Sequence, residues 1–329
     1  MDKKTLLVMR FSSLGDVAMT VPVVKEFLIQ NPETEIIYLS RKKFKPLFEN
    51  VPNLKFHAAD FEEEHKGLKG LIKLADELKF LKFDAIADLH NVIRSRILRI
   101  IIPARKKSSL NKGRKDRKAL VRKVNKIRKP ILSMPERYAD VFHNLGYILD
   151  LSHRLHKNDS VKENAVGIAP FAMYEGKMYP IHKMRAVALN LAEKGLKVYL
   201  FGSKEEAKEL ETWEKLNSKI HSIAGKYELN EELEFIQKLR LMISMDSANM
   251  HLASIVGTRV ISIWGNTHPF MGFLGYGQSI ADVVQDETMT ERPTSVFGKE
   301  SKNADKKDYF QNISVDTVLE KVEMVLREV

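Results

Sequence analysis

The sequence predicts an α/β protein of two doubly wound domains in tandem. Short apolar runs alternate with helical patterns through the first half, and the same cadence restarts after residue 164. A polar, weakly patterned stretch, Leu151 to Asn164, separates the halves. At 329 residues there is room for two domains of ordinary size, each with its own core. The spacing places them at 1–155 and 156–329.

Each element has a local reason. Thr5 to Met9 is a continuous apolar run and reads as a buried strand. The loop Arg10 to Asp16 follows, then a helix from about Val17 to Gln30, stopped by Asn31-Pro32. Glu35 to Ser40, Leu54 to Ala58 and Phe83 to Leu89 read as strands, with a helix over Leu68 to Leu81. Leu120, Val121, Val124 and Ile127 fit one face of a basic helix. In the second half, strands are expected at Ala165 to Ala169, Lys197 to Phe201, His221 to Ile223, Leu241 to Met245 and Arg259 to Trp264. Helices are expected at Met184 to Lys194, Glu205 to Leu216, Leu233 to Leu239, Ala248 to Val256 and Val315 to Arg327. Gly195 and Gly257 close two of them.

Hydrophobic residues make up 44% of the chain and charged residues 29%, a globular balance that excludes a disordered protein. There are no cysteines, so disulfides, thiolate zinc sites, iron–sulfur clusters and cysteine nucleophiles are excluded. That usage fits a reducing cytoplasm. The run Thr5 to Met9 is too short for a signal-peptide core, and no stretch approaches the roughly 18 apolar residues of a membrane span. The net charge of +11 sits in one place. Residues 94–130 hold 16 Lys and Arg against a single acid, Asp116, and the rest of the chain nets −4. Three readings of that segment stay open: a solvated basic face, a surface for an anionic membrane or acidic glycolipid, and a nucleic-acid contact. It contains no Phe, Tyr or Trp to stack on bases, which weighs against the last.

Four loops at strand ends carry polar clusters, where an open α/β sheet binds ligands. Phe11-Ser12-Ser13-Leu14-Gly15-Asp16 turns on one glycine into a helix, so it is not a dinucleotide fingerprint. Asp16 can cap the free N–H groups of that helix, or face a cleft as a general base. Asp246-Ser247-Ala248-Asn249-Met250-His251 opens a helix after a strand, an arrangement suited to a phosphate or to an ordinary cap with a core histidine. Lys177, on the loop Gly176 to Pro180, can meet a diphosphate as a point charge. Trp264 to Pro269, with Thr267, is expected to line the same cleft. No Asp-x-Asp pair suggests a metal-bridged nucleotide, and no histidine pair has metal spacing. Glu62-Glu63-Glu64-His65 reads as a solvated face.

Taken in order, these pieces resemble the glycosyltransferase family 9 heptosyltransferases of lipopolysaccharide core synthesis. Arg10 to Val17 is similar to the family's Ser-Ser-x-Gly-Asp start, and Asp88-Leu89-His90-Asn91 with Arg94-Ser95-Arg96 to its mid-domain motif. Glu136-Arg137-Tyr138, Lys177 with Tyr179-Pro180, and Asp246 to His251 followed by Gly257 and Trp264 to Pro269 resemble the remaining signatures. The resemblance implies a GT-B fold, two Rossmann-like domains facing across a cleft, the first binding acceptor and the second a nucleotide sugar. It implies inverting transfer of a heptose or related sugar, typically from the ADP form, to a lipopolysaccharide core or other acidic, lipid-linked saccharide, with no metal and no cofactor. By that likeness Asp16 is the base, and Ser12, Ser13, Gly15, His90, Asn91 and Arg94 lie on the acceptor side. Lys177, Asp246, Ser247, Ala248, Asn249, His251 and Thr267 serve the donor. A cytoplasmic enzyme with peripheral contact to the inner membrane face follows. The alternatives are another nucleotide-sugar enzyme on the same fold, such as an epimerase, and a nucleic-acid binder using residues 94–130. Ala248 stands where the family has glycine, which would strain a position needing positive φ. Tyr179 replaces the usual Trp.

Overall fold

A computed structural model describes residues 3–299 and 307–328. The chain divides into two compact units. One comprises the chain up to Lys112 with Met134–His153; the other comprises Gly113–Ser133 with the chain from Arg154. This differs from a single break at 155/156.

In the first unit, β1 (Lys4–Met9) leads into α1 (Leu14–Ala18) and α2 (Thr20–Gln30), then β2 (Thr34–Arg41) and β3 (Leu54–Ala59). After them come α3 (Gly67–Leu78), β4 (Phe83–Asp88), α4 (Ile93–Ile101) and β5 (Ala104–Ser109). The five strands are parallel, in the order β3-β2-β1-β4-β5. Leu7 of β1 pairs with Ile37 of β2 and Ile86 of β4, so the apolar run of the first strand sits at the sheet's centre. One face packs Leu7, Met9, Leu39 and Ile86 against Leu71, Leu74 and Leu78 of α3 and Leu98 of α4.

Two short elements complete the middle of the chain, α5 (Arg114–Val121) and α6 (Met134–His143). α6 belongs to the first unit and packs on α2, where Phe27 and Phe142 meet with ring centroids 4.5 Å apart. α5 and the chain to Ser133 belong to the second unit. Arg117 stacks over Phe273 at 4.4 Å, the Ile131 N–H donates to Phe270 O, and Lys126 donates to Pro293 O. The expected apolar face of a basic helix is corrected here: the helix ends at Val121, Leu120 is buried, and Val124 and Ile127 are exposed.

The second unit continues with β6 (Ala165–Ala169), α7 (Ile181–Glu193), β7 (Lys197–Leu200), α8 (Ala207–Glu214) and β8 (Ile220–Ser222). Then follow α9 (Leu229–Lys238), β9 (Leu241–Met245), α10 (Ala248–Ile255), β10 (Val260–Trp264), β11 (Val283–Gln285) and α11 (Val315–Leu326). Its six parallel strands run β11-β10-β9-β6-β7-β8. β6 and β9 are buried at every residue and read in sequence as nearly continuous apolar runs, broken only by Ser244, as strands covered on both faces do.

Both sheets reverse direction once. In the first, the chain winds from β1 outward to β3 and returns on the other side at β4. In the second, it winds from β6 to β8 and returns at β9. The loops after β1 and β4, and those after β6 and β9, therefore diverge at the carboxyl ends of adjacent strands, where such sheets bind ligands.

Candidate functional site

In the first unit the loops after β1 and β4 are tied together. Arg10 Nη1 donates to Leu89 O at 2.8 Å, and the Phe11 N–H donates to His90 Nδ1 at 3.3 Å. Arg10 Nη2 reaches Asp16 Oδ2 at 2.8 Å. Ser13 adds its hydroxyl at 2.7 Å and its N–H at 3.2 Å to the same oxygen. Asp16 is thus not the cap of its helix. The cap is Ser13, the helix starts at Leu14, and Asp16 in the first turn reaches back to it. These bonds fix the carboxylate's orientation, and its side chain keeps 28% exposure, enough to meet a substrate hydroxyl. Burial alone lowers the Arg10 pKa, but Tyr138 and Asp16 outweigh it and hold it above the ordinary value. The guanidinium lies 5.8 Å from the Tyr138 ring centre.

Around β4, Asp88 is fully buried and organises the turn. Its Oδ1 accepts the N–H groups of His90 and Asn91, and its Oδ2 accepts the Ser95 hydroxyl. Asn91 takes a left-handed backbone, donates to Leu110 O and accepts from Arg96. Arg94 lies over the Phe61 ring at 5.5 Å. Burial, then the charges of Arg10 and Lys112, push the His90 pKa down to about 3, so the ring is neutral and positions the loop rather than carrying protons. The unfolded chain binds that proton near 6.5, so below this pH the unfolded state takes up more protons and stability falls. His90→Asn keeps an acceptor for the Phe11 N–H and removes the titration. The wild type should lose about 1 to 2 kcal/mol more than this variant between pH 7 and about pH 5, read from urea midpoints. Equal losses would refute the assignment.

In the second unit the loops after β6 and β9 meet in the same way. Lys177 Nζ lies 2.8 Å from Asp246 Oδ2, and Thr267 Oγ1 donates to that oxygen at 2.8 Å. Lys177 ends a short helical turn in which Gly176 O accepts the Asn266 N–H at 2.8 Å. A Cβ on Gly176 would stand 2.1 Å from the Asn266 amide, so this close approach requires glycine. Ser247 caps α10, but its hydroxyl pairs with Ser244 at 3.2 Å instead of folding onto the first-turn N–H groups. Ala248 and Asn249 form the first turn of α10, and His251 is buried one turn on. Ala248 opens the helix without positive φ, so alanine carries no backbone strain there.

Two structurally central arginines carry little or no signal in the sequence. Arg10 stands just before the Ser-Ser loop, a buried cation at a strand end, yet it fixes Asp16. Arg292 had no local signal. It is 1% exposed and donates to the carbonyls of Trp264, Gly265, Thr267 and Asp286. Burial lowers its pKa to about 10, so it stays charged at neutral pH. It therefore holds the loop that carries Thr267.

The solvated Glu62 to His65 run is corrected in part: the glutamates are exposed, but His65 is buried. Glu64, His65 and Glu77 place one ligand atom each within 4.8 Å of one another. His65 Nδ1 accepts the Asp60 N–H at 2.9 Å, so its proton sits on Nε2 and points at Glu77, 3.2 Å away. A metal on Nε2 would force that proton onto Nδ1, against the Asp60 N–H. The cluster is a hydrogen-bonded anchor between β3 and α3.

Two parallel sheets, each with a polar site at its reversal point, define the class, a GT-B fold. A glycosyltransferase family 9 protein from Veillonella parvula matches with a TM-score of 0.73 at 19% identity, covering 100% of this chain and 99% of its own. The E. coli ADP-heptose lps heptosyltransferase II matches with a TM-score of 0.73 at 18% identity, covering 98% and 99%. The profile of glycosyltransferase family 9 (heptosyltransferase) matches residues 71–303, and the chain belongs to that family. The chain is also 27% identical over 283 residues to the lipopolysaccharide core heptosyltransferase OpsX of Haemophilus influenzae, covering 81% of this chain and 80% of that protein. It is a glycosyltransferase.

Proposed function

We propose that this enzyme transfers a heptose from an ADP-activated donor to a lipopolysaccharide core or similar acidic, lipid-linked saccharide, with inversion and without a metal ion. The observation that carries the reading is the convergence of Lys177 and Thr267 on Asp246 beside the amino end of α10. A lysine and a helix N-terminus together offset the charge that builds on a departing diphosphate. Asp16, held by Arg10 and Ser13, is the base. It takes the proton of the acceptor hydroxyl, and the oxygen attacks the anomeric carbon. The bond to ADP breaks on the opposite face, the electron pair leaves with the diphosphate, and the configuration inverts. Relatives support the donor: E. coli heptosyltransferase WaaC has been solved with ADP-2-deoxy-2-fluoro heptose, at 15% identity to this chain. The test is a transfer assay with a panel of nucleotide sugars in the presence of a chelator, with the product anomer read by NMR. ADP-heptose should be used, the anomer inverted and activity kept. Preference for another nucleotide sugar, retention, or loss on chelation would each overturn one part.

A further inference from the structure

We propose that the outer face of α3 and α4 is a docking surface for an anionic lipid bilayer. The two helices pack side by side on one face of the first sheet and share its core. Glu77 bonds His57 of β3 and buried His65, so that flank of α3 looks toward β3. Leu68 and Ile72 lie on the opposite flank by helical phase, toward α4, and both are exposed. On α4, Ser95 and Arg99 turn to Asp88. Ile93, Ile97, Ile100 and Ile101 form a stripe away from them, and Ile93 and Ile100 are each 77% exposed. Phe80 and Leu81, just after α3, are exposed as well. Seven of the nineteen large apolar side chains left exposed among the described residues fall in this one layer. Single exposed apolar residues need no explanation, but a cluster on adjacent helices does.

Its charge names the occupant. Residues 66–107 hold eleven Lys and Arg against four Asp and Glu. Lys69, Lys82, Arg96, Arg105 and Lys107 are all exposed around the apolar stripe. A second copy of this chain would bring like charges face to face, and a nucleic-acid backbone would leave the isoleucines nothing to bury against. An interfacial helix layer with apolar side chains among cations fits acyl chains beneath anionic headgroups. The proposed surface takes in only the part of the basic segment before residue 112. Beyond it, Arg117 is buried over Phe273 and Lys126 donates to backbone carbonyls within the second unit, while the other lysines and arginines there stay exposed.

The inference rests on the proposed function only in that a lipid-linked acceptor lies in a bilayer. Vesicle binding is therefore measured without donor or acceptor, so that its failure leaves the transferase reading untouched. Wild type should cosediment with phosphatidylglycerol-containing vesicles and not with pure phosphatidylcholine, and added salt should weaken binding. The variant Phe80→Ser/Ile93→Ser/Ile100→Ser, at exposed positions, should bind at least about tenfold less while melting like wild type. Lys82→Glu/Arg105→Glu should bind weakly and lose most of the salt dependence. Unchanged binding by either variant, or no wild-type binding, overturns the proposal. So does a wild-type dimer that the serine variant dissolves, which would assign the face to a second copy.

Discussion

Asp16→Asn should lower kcat by about a thousandfold, within the range expected for loss of a general base, while donor affinity stays near wild type. The substitution is nearly isosteric, and Oδ1 of an asparagine can still accept from Ser13, so the loop keeps its shape. What goes is the negative charge, which pairs with Arg10 through Oδ2 at 2.8 Å, and with it the carboxylate's capacity to take a proton. Lys177→Ala provides the contrast. It removes a charge from the second unit, so ADP affinity measured by calorimetry should fall at least about tenfold. The split between the two variants is the discriminating result. Normal turnover by Asp16→Asn removes it as base. A loss of ADP affinity in that variant equal to the Lys177→Ala loss would mean that Asp16 serves the donor instead.

The residues that were legible in sequence are those whose role is local. β6 and β9 match their expected bounds because strands buried on both faces are nearly continuous apolar runs. Asp16, Lys177 and Asp246 stand at strand ends, and parallel topology brings strand ends together. The failures share a different cause. β5, with the sequence ARKKSS, is an edge strand held by pairing with β4, and its exposed basic side chains carry no apolar signal. The helix after β1 starts three residues earlier than its apolar pattern because Asp16 reaches back to Ser13. It is also interrupted at Met19, where α1 ends. The placement of 113–133 with the second unit depends on Arg117 meeting Phe273, some 150 residues away, which no local window contains.

Arg292 is the extreme of that second kind, and its loss should be the most damaging single change in the second unit. One guanidinium satisfies four backbone carbonyls, those of Trp264, Gly265, Thr267 and Asp286, and also Gln285 Oε1 at 3.2 Å. Arg292→Met fills much the same volume and removes every donor. The carbonyls then stay buried without partners, at about 1 to 3 kcal/mol each before the loop relaxes. A net destabilisation of about 3 to 5 kcal/mol in urea unfolding is expected, near the upper range for point substitutions. Arg292→Lys should fall between, because an ammonium offers three donors from one point and cannot reproduce the planar fork. Function should follow the loop. Thr267 donates to the Asp246 oxygen that faces Lys177, so the lysine variant should raise the KM for donor more than it lowers kcat, at a temperature where it remains folded. A methionine variant within about 1 kcal/mol of wild type would show that the loop stands without its arginine. A lysine variant with unchanged KM would show that the loop's geometry does not reach the donor site.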